Sequence, residues 1–356
     1  MKMDDLSGKH RDNNPKPTGV VTLAHGGGGS AMRKLIENII LPAFYNPLLA
    51  ALEDQATVPL TELLVQGDRL AFTTDSYVVT PMTFPGGDIG KLAVCGTVND
   101  LAVSGARPLY LSCGLIIEEG LPMAQLVMMV KSIAATAREA GVSVVTGDTK
   151  VVERGAADKL FINTAGIGVI RAGVNISASR AQPGDKVIVN GSLGDHGVAI
   201  LLARNELALD AAVISDCQPL HGLVAAMLET CQDIHCLRDA TRGGVATVLN
   251  EFAESSQVGI RLNEAAIPVN ETVRGACEIL GLDSLYLANE GKLVAVVPAT
   301  HANAVLAAMR AHPAGYEAAI VGEITAEPAG RVILSTAFGG YRVVDVLVGE
   351  QLPRIC

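Results

Sequence analysis

Short apolar runs bounded by turn residues alternate along the chain with longer stretches in which apolar positions recur every three to four residues. The runs at 70–73, 109–117, 142–146 and 160–170 predict strands. The stretches at 89–104 and 123–140 predict helices, the second closed by Gly141. This mixture predicts an α/β or α+β domain. A turn at Gln182-Pro183-Gly184-Asp185 opens a second region, with a strand at 186–190 and helices near 196–205, 220–230 and 244–255. Strands at 259–262 and 293–297 and a helix at 301–312 follow. The linker is expected at 173–183. The last eight residues, 349–356, carry neither period and contain Pro353. A length of 356 residues fits two domains, at roughly 100–200 residues per domain.

Composition narrows the classes. Hydrophobic residues make up 49% and charged residues 18%, so the chain has ample material for a core. A net charge of -10 with 3% aromatics disfavours nucleic acid, which needs basic patches and stacking platforms. A nucleotide ligand then calls for a cation to offset the charge. No apolar run reaches the ~18–20 residues of a membrane span. Seven cysteines without a CxxC pair suit free thiols in a reducing cytoplasm. The polar start, 1–20, lacks the apolar segment of a secretory signal and is expected to be a disordered extension.

Several positions carry candidate chemistry. His25-Gly26-Gly27-Gly28-Gly29-Ser30 precedes a helix and suits backbone contacts to phosphate, or simply a flexible entry loop; no Gly-Lys-Ser/Thr follows to make it a P-loop. Asp54, Asp75, Asp148 and Asp239 sit at predicted loop ends, where a carboxylate can help hold Mg²⁺ or cap a turn. Asp100 differs, because it falls on the same helix face as Ile89, Ala93, Gly96 and Val103, beside Asn99. A carboxylate there needs a metal or a salt bridge, with Arg107 as one partner. Lys150 follows Asp148 in TGDTKV and can position phosphate, act as a base, or stay solvated. Glu290 in ANEGK is a candidate general base or a surface turn. Cys356, the terminal thiol, is a candidate carried nucleophile or incidental. Cys231, His235 and Cys236 match no zinc spacing and read as structural.

The blocks LAHGGGGSAM (23–32), FTTDSYVV (72–79), PGGDIGKLAVCGTVNDLAVSGA (85–106), TGDTKVV (146–152), NGSLGDHG (190–197), LRDATRGGV (237–245), ANEGKL (288–293) and PRIC (353–356) together resemble the HypE family of hydrogenase maturation factors. That family lies within the superfamily of aminoimidazole-ribonucleotide and selenophosphate synthetases, from which the terminal PRIC sets it apart. The resemblance covers nearly the whole chain. It implies a two-domain PurM-like ATP-binding fold, α/β over 21–175 and α+β over 176–348, with a flexible C-terminal tail at 349–356. It also implies a homodimer that binds ATP and Mg²⁺ between the domains.

The implied activity is ATP-dependent dehydration of an S-carbamoyl group on Cys356 to a thiocyanate. The carbamoyl group would come through the carbamoyltransferase HypF, and the cyanide would pass to iron on the HypC–HypD scaffold. By the same resemblance, Lys150 and Glu290 stand beside the modified Cys356, and Asp54, Asp100 and Asp239 hold Mg²⁺. Asp75, Asn99 and Asp148 line the nucleotide site, and Arg242-Gly243-Gly244 adds phosphate contacts. A selenophosphate-synthetase-like ATPase would carry a cysteine in the 25–30 loop, and none is there. A non-catalytic carrier would have no use for the aspartate motifs.

Overall fold

Strand β1 (Arg69–Tyr77) alternates between two environments, and that alternation sets the first domain. Its Tyr77 is buried against a helix, while Leu70 and Phe72 stand exposed on the other side. The structure, a computed structural model, describes residues 19–204 and 213–346. Before β1 run the short helices α1 (Ser30–Leu35), α2 (Leu41–Phe44), α3 (Pro47–Ala50) and α4 (Leu60–Leu64), with a π-helical stretch joining the first two. After it come a small hairpin, β2 (Thr83–Phe84) and β3 (Gly87–Asp88), and helix α5 (Ile89–Val103). Strand β4 (Ala106–Glu118), helix α6 (Met123–Glu139) and strands β5 (Ser143–Val152) and β6 (Leu160–Ile170) complete the domain. The sheet order is β1-β6-β4-β5, antiparallel except for the parallel β4–β5 pair. Leu111, Cys113, Leu115 and Ile117 of β4 face the helices and are buried, whereas Ile116 on the opposite face is exposed.

Helix α5 explains why the amphipathic pattern is weak there. Asp88 caps it by accepting hydrogen bonds from Gly90 N (2.8 Å) and Lys91 N (3.0 Å). Of its 15 residues, only Lys91 and Asp100 are not buried. The helix packs on the first sheet, and its end joins the core of the second domain through Ala102 and Val103. The single apolar face expected around Asp100 is therefore an apolar cylinder with two polar openings.

The second domain begins with β7 (Lys186–Val189) and α7 (Asp195–Ala203). Helix α8 (His221–Thr230), β8 (Cys236–Asp239), α9 (Gly244–Ser256), β9 (Gly259–Asn263) and α10 (Glu271–Leu280) follow. The chain continues through β10 (Leu293–Val297), α11 (Ala299–Ala311), β11 (Ala319–Thr325), β12 (Arg331–Ser335) and β13 (Tyr341–Val343). The sheet order is β13-β12-β9-β11-β7-β10-β8. Strand β10 is apolar throughout because both its faces are covered. Val294 and Val296 pack with Val245, Leu249 and Phe252 of α9, while Leu293, Ala295 and Val297 pack with Leu223, Met227, Val305 and Met309 of α8 and α11. Each fully buried side chain of this kind contributes about 1.5–3 kcal/mol.

Two expectations need correction. Asp75 and Asp148 are not at loop ends: β1 and β5 run on through them, with Asp75 paired to Thr164 and Asp148 to Gly114. A neighbouring strand supplies the hydrogen bonds, so polar residues need not end a strand whose far face is open. The patterning predicts none of strands β2, β3, β8, β11, β12 and β13 and none of helices α2, α3, α4 and α10. Strand β8 has only four residues and ends in Arg238-Asp239, and β11 is broken by an irregularity between Ile320 and Gly322.

Candidate active site

Asp100, Asp239 and Arg242 line one cavity of about 530 Å³ between the two domains, together with Thr73, Arg238 and Thr241. Asp100 comes from the polar opening of α5 and Thr73 from the neighbouring strand, whose hydroxyl donates to Asp100 Oδ2 at 2.8 Å. Arg107, the alternative partner for Asp100, lines a different cavity. Burial pushes the Asp100 carboxyl up, against that hydrogen bond. Asp239, at the end of β8, is pushed up to about 7, first by burial and then by the charge of Asp100. Asp75 is close enough for its charge to raise both. Asp100 and Asp239 therefore hold their protons more tightly than an ordinary carboxyl.

Gly243 and Gly244 adopt left-handed φ values of 74° and 60°, which turns the chain from Arg242 into the start of α9. A Cβ on Gly244 would lie 2.4 Å from the Leu285 carbonyl oxygen. Only glycine fits this corner.

Glu290 is not on a surface turn. It is buried at the seam between the domains, and its Oε1 has no hydrogen-bond partner among the described residues. Burial, then the neighbouring Cys217, Asp216, Asp239 and Asp75, pushes its carboxyl well above the ordinary range. The loop that carries it is tied on every side. Asn289 Oδ1 accepts from Gly194 N at 2.8 Å, and its Nδ2 donates to the Ala240 carbonyl at 2.9 Å. Asn99 reaches from α5 across to the second domain. Its Nδ2 donates to the carbonyls of Gln218 (3.1 Å) and Glu290 (3.4 Å), and its Oδ1 accepts from Leu220 N at 2.7 Å. It is a staple from α5 to the second domain, with its polar atoms spent on backbone.

Lys150 and Asp148 form an ion pair at 2.9 Å, both mostly exposed, and the lysine holds the Asp148 carboxyl below its usual range. In register, Lys150 sits opposite Ile116 and Asp148 opposite Gly114, so both belong to the open face of the sheet. Asp75 and its partner Thr164 belong to the helix-covered face. Asp54 lines a third cavity, of about 240 Å³, with Gly147 and Asp148. Within one chain the three aspartates expected to share a metal are therefore split two and one. Among the described residues no group of three or more His, Cys, Asp or Glu is arranged to hold a metal. Two carboxylates still fit Mg²⁺ when phosphate oxygens supply the rest of the shell, its usual arrangement at nucleotides.

Cys356 lies outside the described residues. The other six cysteines are free and buried. Burial pushes Cys113 and Cys236 up to about 12. His235 pairs with Asp185 through Nδ1 at 2.7 Å, in keeping with a structural role. The sequence reading missed Thr73 and Asp216. Asp216 contacts Glu290 across 74 residues of chain, and nothing local marks it.

The chain matches the sequence profiles of AIR synthase related protein, N-terminal domain over 53–170 and C-terminal domain over 182–335. It is 57% identical over 336 residues to the carbamoyl dehydratase HypE of Rhodobacter capsulatus, covering 94% of this chain and 98% of that one. The crystal structure of the hydrogenase maturation protein HypE in complex with ATP is 51% identical and superimposes with a TM-score of 0.89, over 94% of this chain and 99% of that chain. HypE in a HypE–HypF complex superimposes at 0.76 with 48% identity, over 88% and 99%. With this sequence similarity extending end to end over a shared two-domain architecture, the chain belongs to the carbamoyl dehydratase HypE family within the AIR-synthase-related proteins.

Proposed function

We propose that the chain is an ATP-dependent carbamoyl dehydratase that converts a thiocarbamate on its own Cys356 to a thiocyanate. The observation that carries the reading is Glu290, a buried carboxyl with one unpartnered oxygen, set close enough to Asp239 to feel its charge. Turning S–C(=O)–NH₂ into S–C≡N removes one oxygen and two protons. Transfer of the γ-phosphoryl group of ATP to the carbonyl oxygen lets that oxygen leave as phosphate, with ADP as the other product. The nitrogen gives up its two protons on the way: Glu290, built into the seam, accepts one, and the departing phosphate carries the other.

Arg242, at the Gly243–Gly244 corner, contributes to holding the triphosphate, and Asp75 borders the nucleotide. Mg²⁺ would be held by Asp100 and Asp239 and would neutralise phosphate charge there. Asp54 is left out of this set because it faces another cavity.

Val344 is fixed to α9 by Asn250 Nδ2 (2.9 Å), and Thr247 and Glu251 of the same helix line the 530 Å³ cavity. Ten residues follow Val346, and extended they reach ~35 Å.

The partners follow the same reading. HypF would deliver the carbamoyl group, consistent with the solved HypE–HypF complex of a relative, and the cyanide would go to iron on HypC–HypD for nickel–iron hydrogenase. A homodimer is supported by the open sheet face, which leaves Leu70, Phe72, Ile116 and Ile167 exposed together. Lys150 stands on that face with Asp148, so we assign it a role at the site that the second copy completes.

Intact-mass analysis after incubation with HypF, carbamoyl phosphate and ATP tests the function. One CONH₂ group should replace the thiol hydrogen, and one water should then be lost. The Cys356→Ala protein should show neither step, and any thiocyanate formed by it sinks the reading. Glu290→Gln should accept the carbamoyl group and bind ATP, yet dehydrate ~10²–10⁴-fold more slowly.

A further inference from the structure

We propose that Asp216 is a positioning residue for Glu290, acting by clamping the backbone of the loop that carries it. This rests on the reading of Glu290 as the proton acceptor. The Asp216 carboxylate accepts hydrogen bonds from two consecutive backbone amides, Glu290 N at 3.1 Å and Gly291 N at 3.2 Å. Its Oδ2 also pairs with Lys292 Nζ at 3.1 Å, and the two side chains are only 3% and 9% exposed. One buried carboxylate thus grips three successive residues, 290 to 292.

The approach is close. A Cβ on Gly291 would fall 2.0 Å from the Asp216 carbonyl oxygen, so the two segments meet in the one register that glycine permits. Cys217, next to Asp216, also lies near enough to raise the Glu290 carboxyl. Asn99 holds the Glu290 carbonyl from α5. The Glu290 main chain is therefore fixed from both domains, while its side-chain Oε1 is left unpartnered.

Burying an ion pair is costly and is often no more stabilising than apolar packing. What it gives is direction: a charged acceptor with two amide donors tolerates little displacement. A base that must meet a nitrogen proton at hydrogen-bond range loses roughly 100-fold in rate for a misplacement of about 1 Å. Asp216 is well placed to set that distance without touching substrate.

The test is a double-mutant cycle on the full-length, carbamoylated protein, reading the single-turnover dehydration rate at saturating ATP by mass. Asp216→Asn should slow dehydration roughly 10–100-fold with unchanged ATP affinity. In a Glu290→Gln background the same change should add less than about threefold, because the residue it positions is already gone. Losses that multiply across the two sites would show that Asp216 acts independently of Glu290 and overturn the proposal, as would a normal rate in Asp216→Asn. A normal rate in Glu290→Gln is a separate outcome: it removes Glu290 as the base and takes the positioning role with it. Should Asp216→Asn misfold because Lys292 is left unpaired, Asp216→Asn with Lys292→Gln removes both charges together and is put through the same cycle.

Discussion

At the scale of single residues, the site is defined by carboxyls that resist ionising. Asp239 shows the consequence for stability. Its folded-state pKa of about 7 lies above its unfolded value, so the folded protein binds the extra proton between these limits. Stability from this group is therefore retained at low pH and lost as pH rises toward about 7. Asp239→Asn should raise the melting temperature of the nucleotide-free protein at pH 8, by the equivalent of on the order of 2 kcal/mol. At pH 4 it should change it little. A melting temperature that falls at pH 8 would show that the Asp239 carboxylate is already compensated. Asp239 is legible in the sequence because aspartate beside a Gly-rich turn is a local pattern, and Asp100 because a carboxylate on an apolar helix face stands out. Asn99 stands out in the sequence, but its partners, Gln218, Leu220 and Glu290, are 119 to 191 residues away and are not legible there. Asp216 was not legible at all, for the same reason. A hydrogen bond between residues so far apart in the chain leaves no periodic trace at either end.

At the scale of elements, most strands and helices that bury one face or both lie close to the bounds the patterning predicts, whereas β1 and β5 run on past the predicted 70–73 and 142–146 to Tyr77 and Val152. Strand β6 and strand β10 match the expected 160–170 and 293–297. Those missed are short or irregular, and only their sheet neighbours make them strands. Helix α5 shows the opposite limit: its existence was clear, but its polar positions were placed on a face it does not have. The start of α9 gives a test at this level. Gly244→Ala forces a Cβ against the Leu285 carbonyl at a left-handed φ of 60°. It should cost at least about 2 kcal/mol of unfolding free energy by denaturant titration. It should also weaken ATP binding, because Arg242 and Asp239 flank the same corner. Unchanged nucleotide affinity in a destabilised protein would separate the corner from the site.

At the scale of the whole molecule, the exposed apolar face of the first sheet is the largest feature that one chain leaves unexplained. Phe72 is 72% exposed and lies opposite Ile167 in the register of β1 and β6. A twofold contact repeats each substitution on both sides. Ile167→Asp, which faces away from the carboxylate cavity, should therefore weaken self-association about 10³-fold. Sedimentation at micromolar concentration should find monomer. If dimer persists there, the copies meet elsewhere, and Lys150 has no route to the site by that face. The six described thiols are all buried, which bears on the chemistry proposed for the seventh. A protein proposed to react on one of its own seven sulfurs needs the other six to be inert, and recognition at the working thiol cannot supply that. Solvent exclusion can, because a thiol whose proton is held to about 12, as at Cys113 and Cys236, offers almost no nucleophile near neutral pH. A thiol-titrating reagent should count one fast sulfur per native chain and seven after unfolding. The folded protein would then act as its own protecting group, and a bioconjugation chemist could address the carrier position without mutating a single cysteine.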